Sequence, residues 1–157
     1  MTPNLMNIRF TLLLSCALLA STASAQFLAT MEVKEPVPGI CDDKHVYVLF
    51  ASFTGQHEAK WEITKEQVEE RLNAEVTWLK ENPKFKLTKY ESVSVMVNCK
   101  GVVVRVELDS KSKPFNEQVE AVFNSLGACE AGTLNGIAVD SAVLWGIEVK
   151  KGKIILR

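Results

Sequence analysis

Residues 93–108, Val-Ser-Val-Met-Val-Asn-Cys-Lys-Gly-Val-Val-Val-Arg-Val-Glu-Leu, constrain the fold more than any other stretch of this chain. They read as two β-strands folded on a tight turn. With Lys100 and Gly101 as the loop, Cys99 faces Val102, and Val97, Val95 and Val93 face Val104, Val106 and Leu108. Every member of that set is apolar. The opposite face carries Ser94, Met96 and Asn98 against Glu107, Arg105 and Val103. A slip of one residue would carry the polar set inward, so the alternation specifies the register. Gly101 supplies the positive φ that a tight hairpin turn requires. One apolar face and one mostly polar face describe an antiparallel sheet covered on one side.

The flanking segments supply the cover. Thr64 and Gln67 form a Thr-x-x-Gln capping box, in which hydroxyl and amide satisfy orphan backbone donors. Val68, Leu72, Val76 and Leu79 fall on one face of the helix that follows, and Asn82-Pro83 ends it because proline disfavours helical geometry in the preceding residue. A second helix is expected over 115–126, with Phe115, Val119, Val122 and Leu126 on one side and Gly127 as its stop. It starts at Pro114 or is capped by Asn116; both fit. Residues 45–53 read as a strand that Thr54-Gly55-Gln56 turns back into 57–63, where Ala59, Trp61 and Ile63 alternate with charge. After the Asn135-Gly136 turn, Val139, Ser141, Val143, Trp145, Ile147 and Val149 alternate with Asp140, Ala142, Leu144, Gly146, Glu148 and Lys150. Lys151-Gly152 then reverses the chain into a short last strand, 154–156. The sum is an α+β, two-layer domain over 45–157, with an antiparallel sheet and two helices packed on one face.

The first 25 residues stand apart. Arg9 precedes an apolar run over 10–20, and Ala23-Ser24-Ala25 offers small residues for a signal peptidase. The expectation is a signal peptide over 1–25, cleaved before Gln26, with export to the periplasm or beyond. The apolar run is short for a membrane span. An alternative starts from Leu13-Leu14-Ser15-Cys16, which loosely resembles a lipoprotein box and would anchor the protein through a lipidated Cys16. Residues 26–44, with Glu35-Pro36-Val37-Pro38-Gly39, read as an extended N-terminal arm.

Without Arg9 the exported chain has 17 basic and 19 acidic residues, a net charge of −2. That mixed balance, with no basic patch or aromatic platform, argues against nucleic acid. No later segment is long and apolar enough to span a membrane. Cys41, Cys99 and Cys129 remain, an odd number that allows one internal disulfide and one leftover thiol. An exported compartment permits the bond. The sequence leaves open which pair forms, and whether all three are thiols.

Three segments together look familiar: residues 95–106, then Phe115-Asn-Glu-Gln-Val119, then Cys129-Glu-Ala-Gly-Thr-Leu-Asn-Gly-Ile-Ala-Val-Asp-Ser141 with the strand behind it. Their order resembles the C-terminal domain of TonB-type periplasmic energy transducers, a TonB/TolA-like fold, over about residues 64–150. The chain departs from that family where Cys129 and Ala131 replace an aromatic residue and a proline before the turn; Gly132 stays. It also lacks a retained membrane helix and a long proline-rich arm. The resemblance implies a fold and a mode of peptide binding rather than energy transduction. It places a peptide-pairing strand at 139–149, with Val143, Trp145, Ile147 and Glu148 as partner-binding residues and an outer-membrane protein as the kind of partner.

Chemistry is sparse. His45 and His57 sit in strand-like surroundings, with no local nucleophile–base signature beside either. Cys41-Asp-Asp-Lys-His45 matches no standard metal spacing, so no metal, catalytic residue or cofactor is expected. Trp61, Trp78 and Trp145 fit core or sheet-face packing. The expected function is a non-enzymatic protein- or peptide-binding module of the cell envelope. The alternatives are a small secreted thiol-dependent enzyme using Cys129 or Cys41, and an inhibitor or adhesion domain.

Overall fold

A computed structural model of the chain describes residues 27–33, 35–87 and 91–157. The signal peptide over 1–25, its cleavage before Gln26 and the Cys16 alternative lie outside these residues. In chain order the elements are β1 (Ala29–Glu32), β2 (His45–Val48), β3 (Gln56–His57), α1 (Lys65–Glu75), α2 (Trp78–Glu81), β4 (Glu91–Val97), β5 (Val103–Glu107), α3 (Lys113–Asn124), β6 (Thr133–Leu134), β7 (Ile137–Ala138), β8 (Ser141–Lys150) and β9 (Lys153–Leu156). The α+β class is as expected.

The main sheet has the order β1-β2-β8-β4-β5, with β9 beside the far half of β8. β8 is its spine. Ile147 pairs with Glu91 on one side and Leu156 on the other, while Ser141 pairs with Val97 and Tyr47. β2 runs parallel to β8, so the sheet is mixed rather than wholly antiparallel. The stretch predicted to pair with residues 45–53 goes elsewhere: Gln56 and His57 pair with Leu134 and Thr133, and Lys60 exchanges both backbone hydrogen bonds with Glu130. The alternation at Ala59 and Trp61 was about burial, not about that partner; both sit in the helix-side core.

That core lies between the sheet and the three helices. Val93, Val95, Val97, Ile147 and Ile154 meet Val68, Leu72, Phe115, Val119 and Phe123, all almost fully buried. Thr64 caps α1 with the full capping box. The predicted single helix breaks at the β-branched pair Val76-Thr77 and resumes as α2, yet Val76 and Leu79 are both buried as the spacing required. α3 is capped by Ser112, with Pro114 in its first turn, rather than by Asn116.

Two features differ from the sequence reading in ways that shape the surface. Part of the arm joins the sheet: β1 pairs with β2, and Val37 packs with Val46, Met96 and Ala142 on the face away from the helices. The hairpin turn also has three loop residues, not two. Asn98 N–H donates to Val102 O and Gly101 N–H to Asn98 O, with Gly101 at φ 75°. This is a type I turn closed by a glycine bulge. A second irregularity between Met96 and Val97 restores the predicted pairs Ser94–Glu107, Val95–Val106 and Met96–Arg105. Cys99 therefore sits in the loop instead of on the apolar strand face, and that puts it within reach of the arm.

Candidate functional site

The four partner-binding residues expected on 139–149 do not form one accessible surface. Ile147 is buried; Trp145 packs edge-on against Trp61 and Phe123, with ring centroids 6.2 and 5.6 Å apart; Val143 packs beside them. Both edges of β8 are largely taken, by β4 along 141–147 and by β2 and β9 at the two ends of the other edge. Gly146 O further accepts from Arg157 N–H at 2.8 Å. Residues 143–146 are the only stretch of that edge without a strand partner among the described residues, and Arg157 already takes the carbonyl of the last of them. Glu148 is the one member near a usable surface. Lys150 and Arg157 each reach it at 2.9 Å and hold its carboxyl below the usual range.

The thiols are settled by tertiary placement. Cys41 and Cys99 form a disulfide, Cα atoms 6.1 Å apart, that ties the arm to the hairpin tip. Asp140, only 2% exposed, stands behind it. Its Oδ2 accepts from Cys41 N–H at 2.8 Å and Asp42 N–H at 2.6 Å, and its Oδ1 from Cys99 N–H at 2.9 Å. Asn98 adds a second tie, donating to Gly39 O at 2.8 Å and accepting from Lys100 and Val102 N–H. The two sulfurs and a carboxylate oxygen lie within 4.8 Å of one another, but a thiolate is the ligand form of cysteine and a bonded pair offers none. Cys129 is a free, partly buried thiol that donates to Gly101 O at 3.5 Å. Burial, and then Glu130, push it up to about 11, so its nucleophilic form is scarce at neutral pH.

A wide concave surface lies at the other end of the sheet. A groove of about 1240 Å³ runs between the 83–87 segment, the β8–β9 hairpin and α1. Its apolar walls are Pro83, Phe85 and Leu87 on one side and Val149, Ile154 and Ile155 on the other. The first wall is anchored, because the Phe85 ring packs on Trp78 at 4.9 Å and on Phe115 at 5.1 Å. Four lysines line the same groove: Lys86, Lys150, Lys151 and Lys153. Along its α1 side, Asn73 donates to Ile154 O and accepts from Ile154 N–H, both at 2.9 Å, and Glu69 accepts from Leu156 N–H at 2.8 Å. These side chains copy the hydrogen bonds of a further strand, so the outer edge of β9 is already satisfied.

No protein-family model, curated protein or solved structure matches this chain.

The sequence did not reveal Asp140, Asn73 or the groove. Asp140 reads as a solvated residue at the start of a strand; its role appears only once Cys41 and Cys99 converge on it. The lysines in Lys84-Phe-Lys86 and Lys150-Lys-Gly-Lys153 are visible as charge, but nothing in their spacing says the two runs meet.

Proposed function

We propose that the protein is an exported, non-enzymatic module of the cell envelope that binds a peptide or a peptide-like segment of another protein. The observation that carries this is the groove: a preformed concave surface with apolar walls and a few charged groups is what a binding module needs. Its volume exceeds the few hundred Å³ typical of small-molecule pockets, on the order of 300–1,000 Å³, and suits a stretch of several residues. The Cys41–Cys99 disulfide supports export, since such bonds persist in oxidising compartments. The order of helix, hairpin, helix, Asn-Gly turn and long strand supports kinship with TonB-type C-terminal domains. In this proposal the contact is made in the groove rather than by strand addition to β8.

Selection from a displayed library of random peptides on the oxidised protein tests the reading. Peptides are expected to enrich, and to lose binding when Ile155→Glu places a charge in the groove. Failure to enrich any peptide, or enrichment that ignores Ile155→Glu, overturns it.

A further inference from the structure

We infer that the groove takes an acidic segment: an extended peptide whose carboxylates meet Lys86, Lys151 and Lys153 while its apolar side chains lie against Phe85, Leu87 and Ile155. This rests on the binding-module reading above and names the chemistry of the partner.

Charge is the first argument. The groove holds four lysines and two acids, and both acids are engaged. Glu69 accepts from the Leu156 backbone, and Glu148 is shared by Lys150 and Arg157. Lys86, Lys151 and Lys153 make no ion pair among the described residues. The whole chain carries a formal charge of −1, so this cationic rim is a local concentration and not a reflection of a basic protein. A cluster of one sign over low-dielectric walls focuses its field and favours ligands of the other sign.

Backbone geometry is the second. Lys151 and Gly152 form the β8–β9 turn with φ 51° and 72°. A two-residue turn with both residues at positive φ is type I′, where Asn-Gly is the favoured pair. The chain uses that pair at Asn135-Gly136, with φ 51° and 80°. At the groove it places lysine in the same left-handed position, which residues other than glycine, asparagine and aspartate adopt rarely. Lys151 is thus a turn residue that also lines the groove.

The third argument is the satisfied edge of β9. With Asn73 and Glu69 bonded to it, the outer edge of β9 offers a partner neither the N–H nor the C=O of Ile154 nor the N–H of Leu156. Recognition then falls to side chains: apolar anchors between the walls and carboxylates at the rim.

Fluorescence anisotropy with three labelled peptides tests this: one of Asp and Glu with Leu and Phe anchors, its Lys counterpart, and an acidic one with Ser in place of the anchors. The first should bind at least about tenfold tighter than either of the others. Raising the salt should weaken it, because exposed charges are screened beyond a Debye length of about 10 Å at 0.1 M. The triple variant K86E/K151E/K153E, all on solvated side chains, should reverse the preference towards the Lys peptide. Equal binding of the acidic and Lys peptides, or a triple variant with unchanged preference, overturns the acidic assignment and leaves the module reading standing. Binding of none of the three peptides likewise overturns the acidic assignment and leaves the module reading to the library selection, and binding of dodecanoate alone overturns it in favour of an anionic amphiphile.

Discussion

Asp140 shows how much one side chain can hold. Three backbone N–H groups from two distant segments converge on its carboxylate, and charge-assisted hydrogen bonds are about twice as strong as neutral ones. Asp140→Ala leaves those donors without an acceptor and should destabilise the protein by about 3 kcal/mol in urea unfolding. An unchanged midpoint would mean that water replaces the carboxylate without loss. Glu91 works the other way. Burial, and then Asp109, raise its carboxyl above the usual range, and one of its oxygens has no partner. A raised acid favours the fold below its unfolded pKa, and that contribution is lost as pH rises through the folded pKa. Glu91→Gln should therefore raise the melting temperature near pH ~7, and the gain should vanish below about pH 3.5, where the wild-type carboxyl is protonated folded and unfolded. A gain that persists in acid would contradict this. Neither residue advertises its role in the sequence, because burial of a polar group depends on which distant segments cover it.

At the level of elements, local patterns were legible where one physical rule decided them. The Thr64–Gln67 box caps α1, and the valine alternation put Val93, Val95 and Val106 in the core. Pairing was less legible. Residues 57–63 alternate as a strand would, yet their partners come from beyond α3, and β2 spends its edges on β1 and β8. A period of two reports which face is buried, never which strand lies alongside. The β9 edge is the clearest case of an element completed by side chains. Asn73→Ala strips Ile154 of its partners for both N–H and C=O and should cost about 1–3 kcal/mol. Amide exchange at Ile154 should quicken more than the global loss of stability explains. Unaltered protection there would show that α1 does not cap the strand.

Across the whole molecule, the disulfide and the groove sit at opposite ends of one sheet. The bond joins residues 58 apart and ties the arm, the hairpin tip and the start of β8 into one unit. A loop of that length corresponds to about 4 kcal/mol of chain-entropy stabilisation. The double variant Cys41→Ala/Cys99→Ala should lose up to that amount, and a loss below about 1 kcal/mol would mean the arm folds onto Val46 and Met96 without the bond. The groove depends on neither cysteine, since its walls are fixed by Trp78 and Phe115 beneath Phe85. Sequence could not join its parts, because 83–87 and 148–155 meet only after the sheet and helices have assembled.

We propose that this end of the molecule holds an acidic peptide. The most direct test is a two-dimensional NMR titration of the oxidised protein with the acidic, Leu- and Phe-anchored peptide. Shifts confined to Phe85, Lys86, Leu87, Lys151, Lys153 and Ile155 are the predicted result. Shifts that instead follow the sheet edges at β1 or β5, or residues 143–146 of β8, would contradict it, as would a spectrum that does not change.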